Sequence, residues 1–281
     1  MTVTATPAPV TVAELVAALT DQRRETSSPP LRERYRGTGS LGPAEGDVVA
    51  TVVVLGAHPG AGASSVAIAL AGALAEREAG DLSGRVRLVD AATPETSGLI
   101  CAADRELGTD PTGWRVGSRQ GIEVHRPPRA LSNPADVPAM ASLESGWLVV
   151  DAGWSIRDLV AGVNTISPLL STARVVLVCR ATVPGVRRAE LALAHLATPP
   201  LVVAVGARRW PGEVQASFGP SLRQAREAGR VVLVPADRRL ELTGIDAQSL
   251  PRTLTAAAAQ LLDLLWPGTP SEATHRSEGT L

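Results

Sequence analysis

The sequence contains no lysine: all 27 basic side chains in its 281 residues are arginine. Any chemistry on phosphate groups therefore has only guanidinium groups, backbone N–H groups and metal to work with. A coding bias towards arginine and alanine accounts for the lack in plain terms. Aromatic residues make up 2% of the chain against 44% hydrophobic residues overall, so a core must be built from alanine, valine and leucine. Cysteine occurs only as Cys101 and Cys179. Both stand in apolar contexts far apart in sequence, which predicts free buried thiols in a reducing compartment rather than a disulfide framework. A net charge of −1 gives no electrostatic basis for general binding to nucleic acid or a membrane surface. The N-terminus has neither the basic start nor the apolar run of a signal peptide, and no segment approaches a membrane span. These absences predict a cytoplasmic protein.

What is present is a regular alternation. Continuous apolar runs at Ala50–Leu55, Val86–Ala91, Leu148–Ala152, Val175–Cys179, Leu201–Val205 and Val231–Val234 read as strands buried on both faces. Helical segments are expected at Ser64–Ala79, Ile156–Leu170, Val186–Leu196, Pro211–Ala228 and Arg252–Leu265, punctuated by Pro and Gly near their ends. The stretch from Trp114 to Arg126 predicts a hairpin turning at Arg119, Gln120 and Gly121. The fold class that follows is α/β, an open, mainly parallel sheet with helices on both faces. Residues 1–47 read as an N-terminal arm, with a short amphipathic helix at Val10–Arg24 and a Pro/Gly/Ser-rich linker. Residues 48–266 form the main domain, and 267–281 a polar tail expected to be disordered.

Between the first strand and the first long helix lies GAHPGAGASS, Gly56 to Ser65. A phosphate cradle needs inward-pointing backbone N–H groups and the positive end of a helix. Gly60 and Gly62 allow the curl, and the helix after Ser64 supplies the dipole. Ser64 stands where a hydroxyl would meet magnesium. Two further strands end in carboxylates, Asp90 in VRLVD and Asp151 in WLVVD. Ligands in open α/β sheets bind at such strand ends, so both are candidate magnesium groups; a helix cap or loop hydrogen bond is the plainer reading of each.

In order along the chain, HPGAGASS, LVDAATP, VVDAG, VCRATVPGVRRAEL and VPADRRL resemble the motifs of the ParA/MinD family of deviant P-loop ATPases, from about Val48 to Leu265. The resemblance implies a P-loop NTPase-like fold and a site for ATP or ADP with magnesium; the alternative is a tight packing turn that holds no cofactor. It assigns His58, Gly60, Ala61, Gly62, Ala63, Ser64 and Ser65 to nucleotide, and Ser64, Asp90 and Asp151 to the metal. The departures weigh more. The family's signature lysine falls on His58, its loop lysine on Ala63, and the second aspartate of its DxD motif on Ala92; Gly206 and Ala207 stand where an asparagine often reads the base.

Each missing lysine removes roughly 4 kcal/mol of charge pairing at about 4 Å and an effective dielectric of about 20, and phosphoryl transfer rests almost wholly on such positioning and charge. Histidine is a poor substitute, because an unperturbed imidazole, with pKa about 6.5, is mostly neutral at pH 7. Arg187, Arg188, Arg208, Arg209, Arg238 and Arg239 are the arginines that sequence offers in compensation. The resemblance therefore implies a degenerate member, a pseudo-ATPase that acts through protein partners as a scaffold or regulator, such as accompanies secretion, pilus and conjugation machinery. Its alternative is an ATP-binding switch with slow hydrolysis and nucleotide-dependent homodimerisation. A third reading, an unrelated α/β enzyme, finds no support: His125 and His195 are isolated in sequence, and there is no Gly-x-Ser-x-Gly elbow. Trp147 and Trp154 read as packing, the Ala207–Val214 segment as a solvated loop with a partner or nucleotide contact as its alternative, and the last helix has no basic face for a membrane.

Overall fold

In the computed structural model, the described residues are 49–78, 86–93, 95–140 and 146–267. The arm over 1–47 and nearly all of the tail over 267–281 lie outside them. Among these residues the core is one nine-stranded sheet. Its elements in chain order are β1 (Ala50–Gly56), α1 (Ala63–Arg77), β2 (Val86–Asp90), β3 (Arg105–Thr109), β4 (Arg115–Arg119), β5 (Ile122–Arg126), β6 (Trp147–Asp151), α2 (Ile156–Ala161), α3 (Leu169–Thr172), β7 (Arg174–Arg180), α4 (Val183–Leu193), β8 (Leu201–Val205), α5 (Gly212–Ala216), α6 (Pro220–Glu227), β9 (Val231–Val234), α7 (Arg238–Thr243) and α8 (Arg252–Leu265). The spatial order is β3-β4-β5-β2-β6-β1-β7-β8-β9. All pairings from β5 to β9 are parallel, and the β3–β4 and β4–β5 pairings are antiparallel.

Alternate residues of each central strand serve opposite layers, as a period of two requires. Val52 and Val54 join α1 and α8 in one apolar cluster, whereas Val53 and Leu55 join α2, α4, α5 and α6 in the other. Helices thus cover both faces, as the continuous apolar strands predicted. Alanines 67, 69 and 71 of α1 and alanines 257 and 258 of α8 are buried in the first layer. They leave room for close helix approach in a chain nearly without aromatics. Of the few rings, Trp114 and Phe218 are buried in the second layer, Trp147 meets Trp266 edge-on at 4.8 Å, and Arg174 lies 4.9 Å over the Trp266 ring.

The structure corrects several local expectations. The helix expected over 156–170 is two short helices, because the Asn164 side chain accepts the N–H groups of Ile166 and Ser167 and donates to the carbonyl of Leu159. The helix expected over 211–228 breaks at Gly219. There the Glu190 carboxylate accepts the N–H groups of Ser221 and Leu222 at 2.7 and 3.0 Å, and a Cβ on Gly219 would lie 2.3 Å from the Glu190 Cδ. The hairpin turns at Gln120–Gly121, with φ of 46° and 83°, the left-handed pair that matches strand twist. Edge strand β3 and helix α7 were not anticipated. Cys101 is exposed rather than buried; Cys179 is buried and its thiol is pushed up to about 12 by desolvation. His125 is not isolated: its ring lies 3.5 Å from Asp110 and 3.6 Å from Glu123, and burial lowers its pKa. Among the described residues no helix is long and apolar enough to cross a membrane.

Candidate functional site: a cleft at the carboxyl ends of the strands

The parallel strands point their carboxyl ends at one cleft of about 740 Å³, lined by the β1–α1 loop, the segments after β2, β6 and β9, and Arg180 at the end of β7. Its size and position are those of a ligand site in an open α/β sheet.

The loop has the shape that the glycines promised. Gly60 and Gly62 adopt φ of 73° and 97°, values that side-chain-bearing residues rarely hold. Gly62 is also the N-cap of α1, and no side chain caps that helix. The first N–H groups of a helix have no intrahelical partner, so the positive end of a 15-residue helix faces the cleft uncapped. A Cβ on Gly62 would meet Val205 at 3.3 Å. Every residue assigned to nucleotide, His58 through Ser65, lines the cleft.

His58 is turned sideways rather than outwards. Its Nδ1 lies 2.8 Å from the Pro59 carbonyl, and its Nε2 accepts the backbone N–H of Arg180 at 3.3 Å. A ring that donates from Nδ1 and accepts at Nε2 satisfies both contacts, a tautomer assigned from the hydrogen bonds.

The two strand-end aspartates face each other across β2 and β6, where they are register partners. They differ in their bonds. Asp90 accepts the Ser97 hydroxyl at 2.5 Å and the Ala92 N–H at 3.1 Å, the loop-holding role that was the plainer reading, and it is not part of the cleft lining. Asp151 lines the cleft, is 1% exposed, and neither carboxylate oxygen makes a hydrogen bond of normal geometry. The Ser64 hydroxyl and the Gly153 N–H lie near enough to favour its charged form, but burial and the Asp90 charge outweigh them and raise its pKa. Burial raises Asp90 too, against its hydrogen bonds to Ser97 and Ala92 and the Arg126 charge. An orphaned buried carboxylate is a costly arrangement that a cation at the cleft floor would relieve.

Ser64 is the natural second group for such a cation, although its Oγ also accepts the Gly98 N–H at 3.2 Å. A Cβ on Gly98 would lie 2.8 Å from the Ser64 Cβ, so the segment after Ser97 rests directly on the serine. Ala92, where the second DxD aspartate would fall, is 1% exposed, and a Cβ on Gly153 would come within 2.2 Å of its Cβ. That position is packed shut and turned away from the cleft.

None of the six arginines offered in compensation lines the cleft; Arg180 does. Arg239, for example, is bound to Asp246 at 3.0 Å and to the Ser249 carbonyl. Arg180 follows directly on the apolar run of β7, and that strand-end position was the signal available in the sequence. Trp154 also lines the cleft, with its indole N–H donated to the Ala91 carbonyl at 2.7 Å. The lining holds five carboxylates, on Glu95, Asp151, Asp158, Asp237 and Glu241, against one guanidinium and one imidazole. A polyphosphate entering this field is favoured when a divalent cation enters with it.

With this geometry in place, comparison with known proteins finds likeness only among solved structures. No protein-family description and no curated protein matches the chain. The chain is similar to a ParA-family ATPase from Chlorobium tepidum, at 15% identity and a TM-score of 0.47, over 76% of this chain and 98% of that one. It is also similar to a putative plasmid partition protein from Borrelia burgdorferi bound to AMPPNP, at 12% identity and a TM-score of 0.45, over 77% and 97% of the two chains. A nucleotide-binding protein from Archaeoglobus fulgidus in complex with ADP is similar at 15% identity and a TM-score of 0.40, over 75% and 87%. The P-loop NTPase-like architecture of this chain stands on its own strand order and loop.

Proposed function

We propose that this chain is a degenerate ParA/MinD-like P-loop protein that holds a magnesium nucleotide in the strand-end cleft without efficient hydrolysis. It works in the cytoplasm through protein partners, as a scaffold or regulator. One contrast carries the reading: the parts that hold phosphate are present, and the parts that transfer it are not. The glycine loop, the uncapped end of α1 and the orphaned Asp151 carboxylate all line the cleft. The positions for the loop lysine and the second aspartate are Ala63 and the buried Ala92.

Backbone N–H groups between Gly60 and Ser65 would hold the phosphates, and Ser64 with Asp151 would hold magnesium, with Asp90 steadying the neighbouring loop. When bound, magnesium supplies the positive charge that the loop itself lacks. No side chain at position 92 is available to orient an attacking water, so turnover is expected to be slow or nil.

The test is a titration of the purified protein with fluorescent ATP and ADP in magnesium buffer, beside a Gly62→Val variant. Saturable micromolar binding that the variant loses supports the reading; its φ of 97° and its contact with Val205 make valine there strained and obstructive. Absence of binding to millimolar nucleotide refutes it. The alternative of a slow ATPase switch that dimerises with nucleotide is favoured by one observation, the arginine in the cleft. It is separated by phosphate release and by light scattering with and without ATP.

A further inference from the structure

We infer that Arg180 supplies the phosphate-facing positive charge that the loop has lost, and that Glu241 is its internal counter-ion, displaced when a nucleoside di- or triphosphate enters. This inference rests on the cleft being a nucleotide site.

Three observations carry it. First, Arg180 bears the one guanidinium in the cleft lining among the described residues, in a chain without lysine. Second, its root is fixed while its head is exchangeable. The Arg180 N–H donates to His58 in the phosphate loop at 3.3 Å, and its carbonyl accepts the Thr182 N–H at 2.8 Å. Gly185 packs so closely on that carbonyl that a Cβ would lie 2.3 Å from it. The guanidinium, by contrast, is held by a single Glu241 contact of 2.8 Å, with the two side chains 32% and 46% exposed. Third, the guanidinium lies over Gly206, where a Cβ would sit 3.5 to 3.6 Å from its atoms. The neighbouring Val205 is the residue that touches Gly62 of the phosphate loop. The charged head therefore rests at the shoulder of the loop on a surface kept clear of side chains.

An exposed Arg–Glu pair is weak. A polyphosphate offers a higher charge and several oxygens to the planar guanidinium fork. It also repels Glu241, which lines the same cleft from α7. Entry of the ligand thus exchanges one partner of Arg180 for a stronger one and pushes the first away. In its ligand-free form the protein carries a substitute anion beside its phosphate site, so Glu241 lowers affinity and Arg180 raises it.

The experiment uses the full chain and fluorescent ATP, ADP and AMP in magnesium buffer, with Arg180→Gln, Glu241→Gln and Gly62→Val. Arg180→Gln is expected to weaken ATP and ADP by about tenfold, the scale of one charge-assisted contact, and AMP by much less. Glu241→Gln is expected to tighten ATP and ADP by roughly threefold or more through loss of a repelling charge. Both variants replace surface side chains, and thermal melts within about two degrees of the parent would certify their folding. Wild-type binding abolished by Gly62→Val but unmoved by the other two changes overturns the inference and leaves the cleft reading intact. Equal or same-signed shifts from the two pair variants also overturn it. Absence of binding in every protein overturns the cleft reading, and this inference with it.

Discussion

Replacing Asp151 with asparagine perturbs one buried atom pair and has a calculable effect. In an unfolded chain the carboxyl titrates near 3.8; in the fold, burial and the Asp90 charge raise it towards about 7. The folded state then binds the proton more tightly than the unfolded state. The contribution of this group to stability is full below about pH 4, falls as pH rises towards about 7, and is level above that. Each pKa unit corresponds to about 1.4 kcal/mol, so the shift from 3.8 to about 7 sets a ceiling of about 4 kcal/mol on the loss. Asparagine keeps the shape and cannot ionise. Asp151→Asn is therefore expected to exceed the parent by about 1 kcal/mol or less at pH 4.5 and by roughly 1 to 4 kcal/mol at pH 8. Urea denaturation at both pH values, with the mutant-minus-parent difference as the readout, cancels the titration of groups that do not interact with Asp151. On the proposed function, magnesium nucleotide narrows the gap at pH 8 by stabilising the parent more than the variant. A variant less stable than the parent at pH 8, or a difference independent of pH, would refute the reasoning that Asp151 is an unrelieved buried charge.

Two further substitutions test the scaffold around the cleft. Gly153→Ala forces a side chain at φ +66° to within 2.2 Å of Ala92, and a loss of about 2 to 4 kcal/mol is expected from strain and overpacking; a melting temperature unchanged from the parent would contradict it. Glu190→Ala removes the acceptor for two N–H groups at the start of α6. It should cost about 1 to 2 kcal/mol, read as a lower urea midpoint, with hydrogen exchange of Ser221 and Leu222 accelerated.

The strands were legible because burial on both faces writes continuous apolar runs, and β8 and β9 begin and end where those runs do. The cleft was legible for the same reason, since the loop and Asp151 sit at the ends of such runs. β3 was not, because RELGT is exposed at every position and carries no periodicity for burial to impose. The breaks at Asn164 and Gly219 were hidden differently. The second depends on Glu190, about thirty residues earlier in the chain, and local propensity contains no trace of that partner. Arg180 was overlooked although it ends a buried run. Which arginine reaches the loop is decided by the parallel register of β1 with β7, where Gly56 stands opposite Val178, and register is a property of the folded sheet. Asp90 and Asp151 looked alike as strand-end carboxylates, and only the hydrogen bonds to Ser97 and Ala92 distinguish the tethered one from the free one.

The contact between Ala92 and Gly153 makes an acidic group at position 92 hard to install. A lysine placed at position 63 would stand on a partly open loop and meet solvent. An aspartate placed at position 92 would enter a wall that is 1% exposed, against a glycine already in contact, and add a third carboxylate beside two whose charges burial already opposes. A carboxylate at that site needs the segment after β6 to withdraw first, so no single substitution supplies it. An attempt to build phosphoryl transfer into this cleft has to begin with the backbone around Gly153 and only then add the charges.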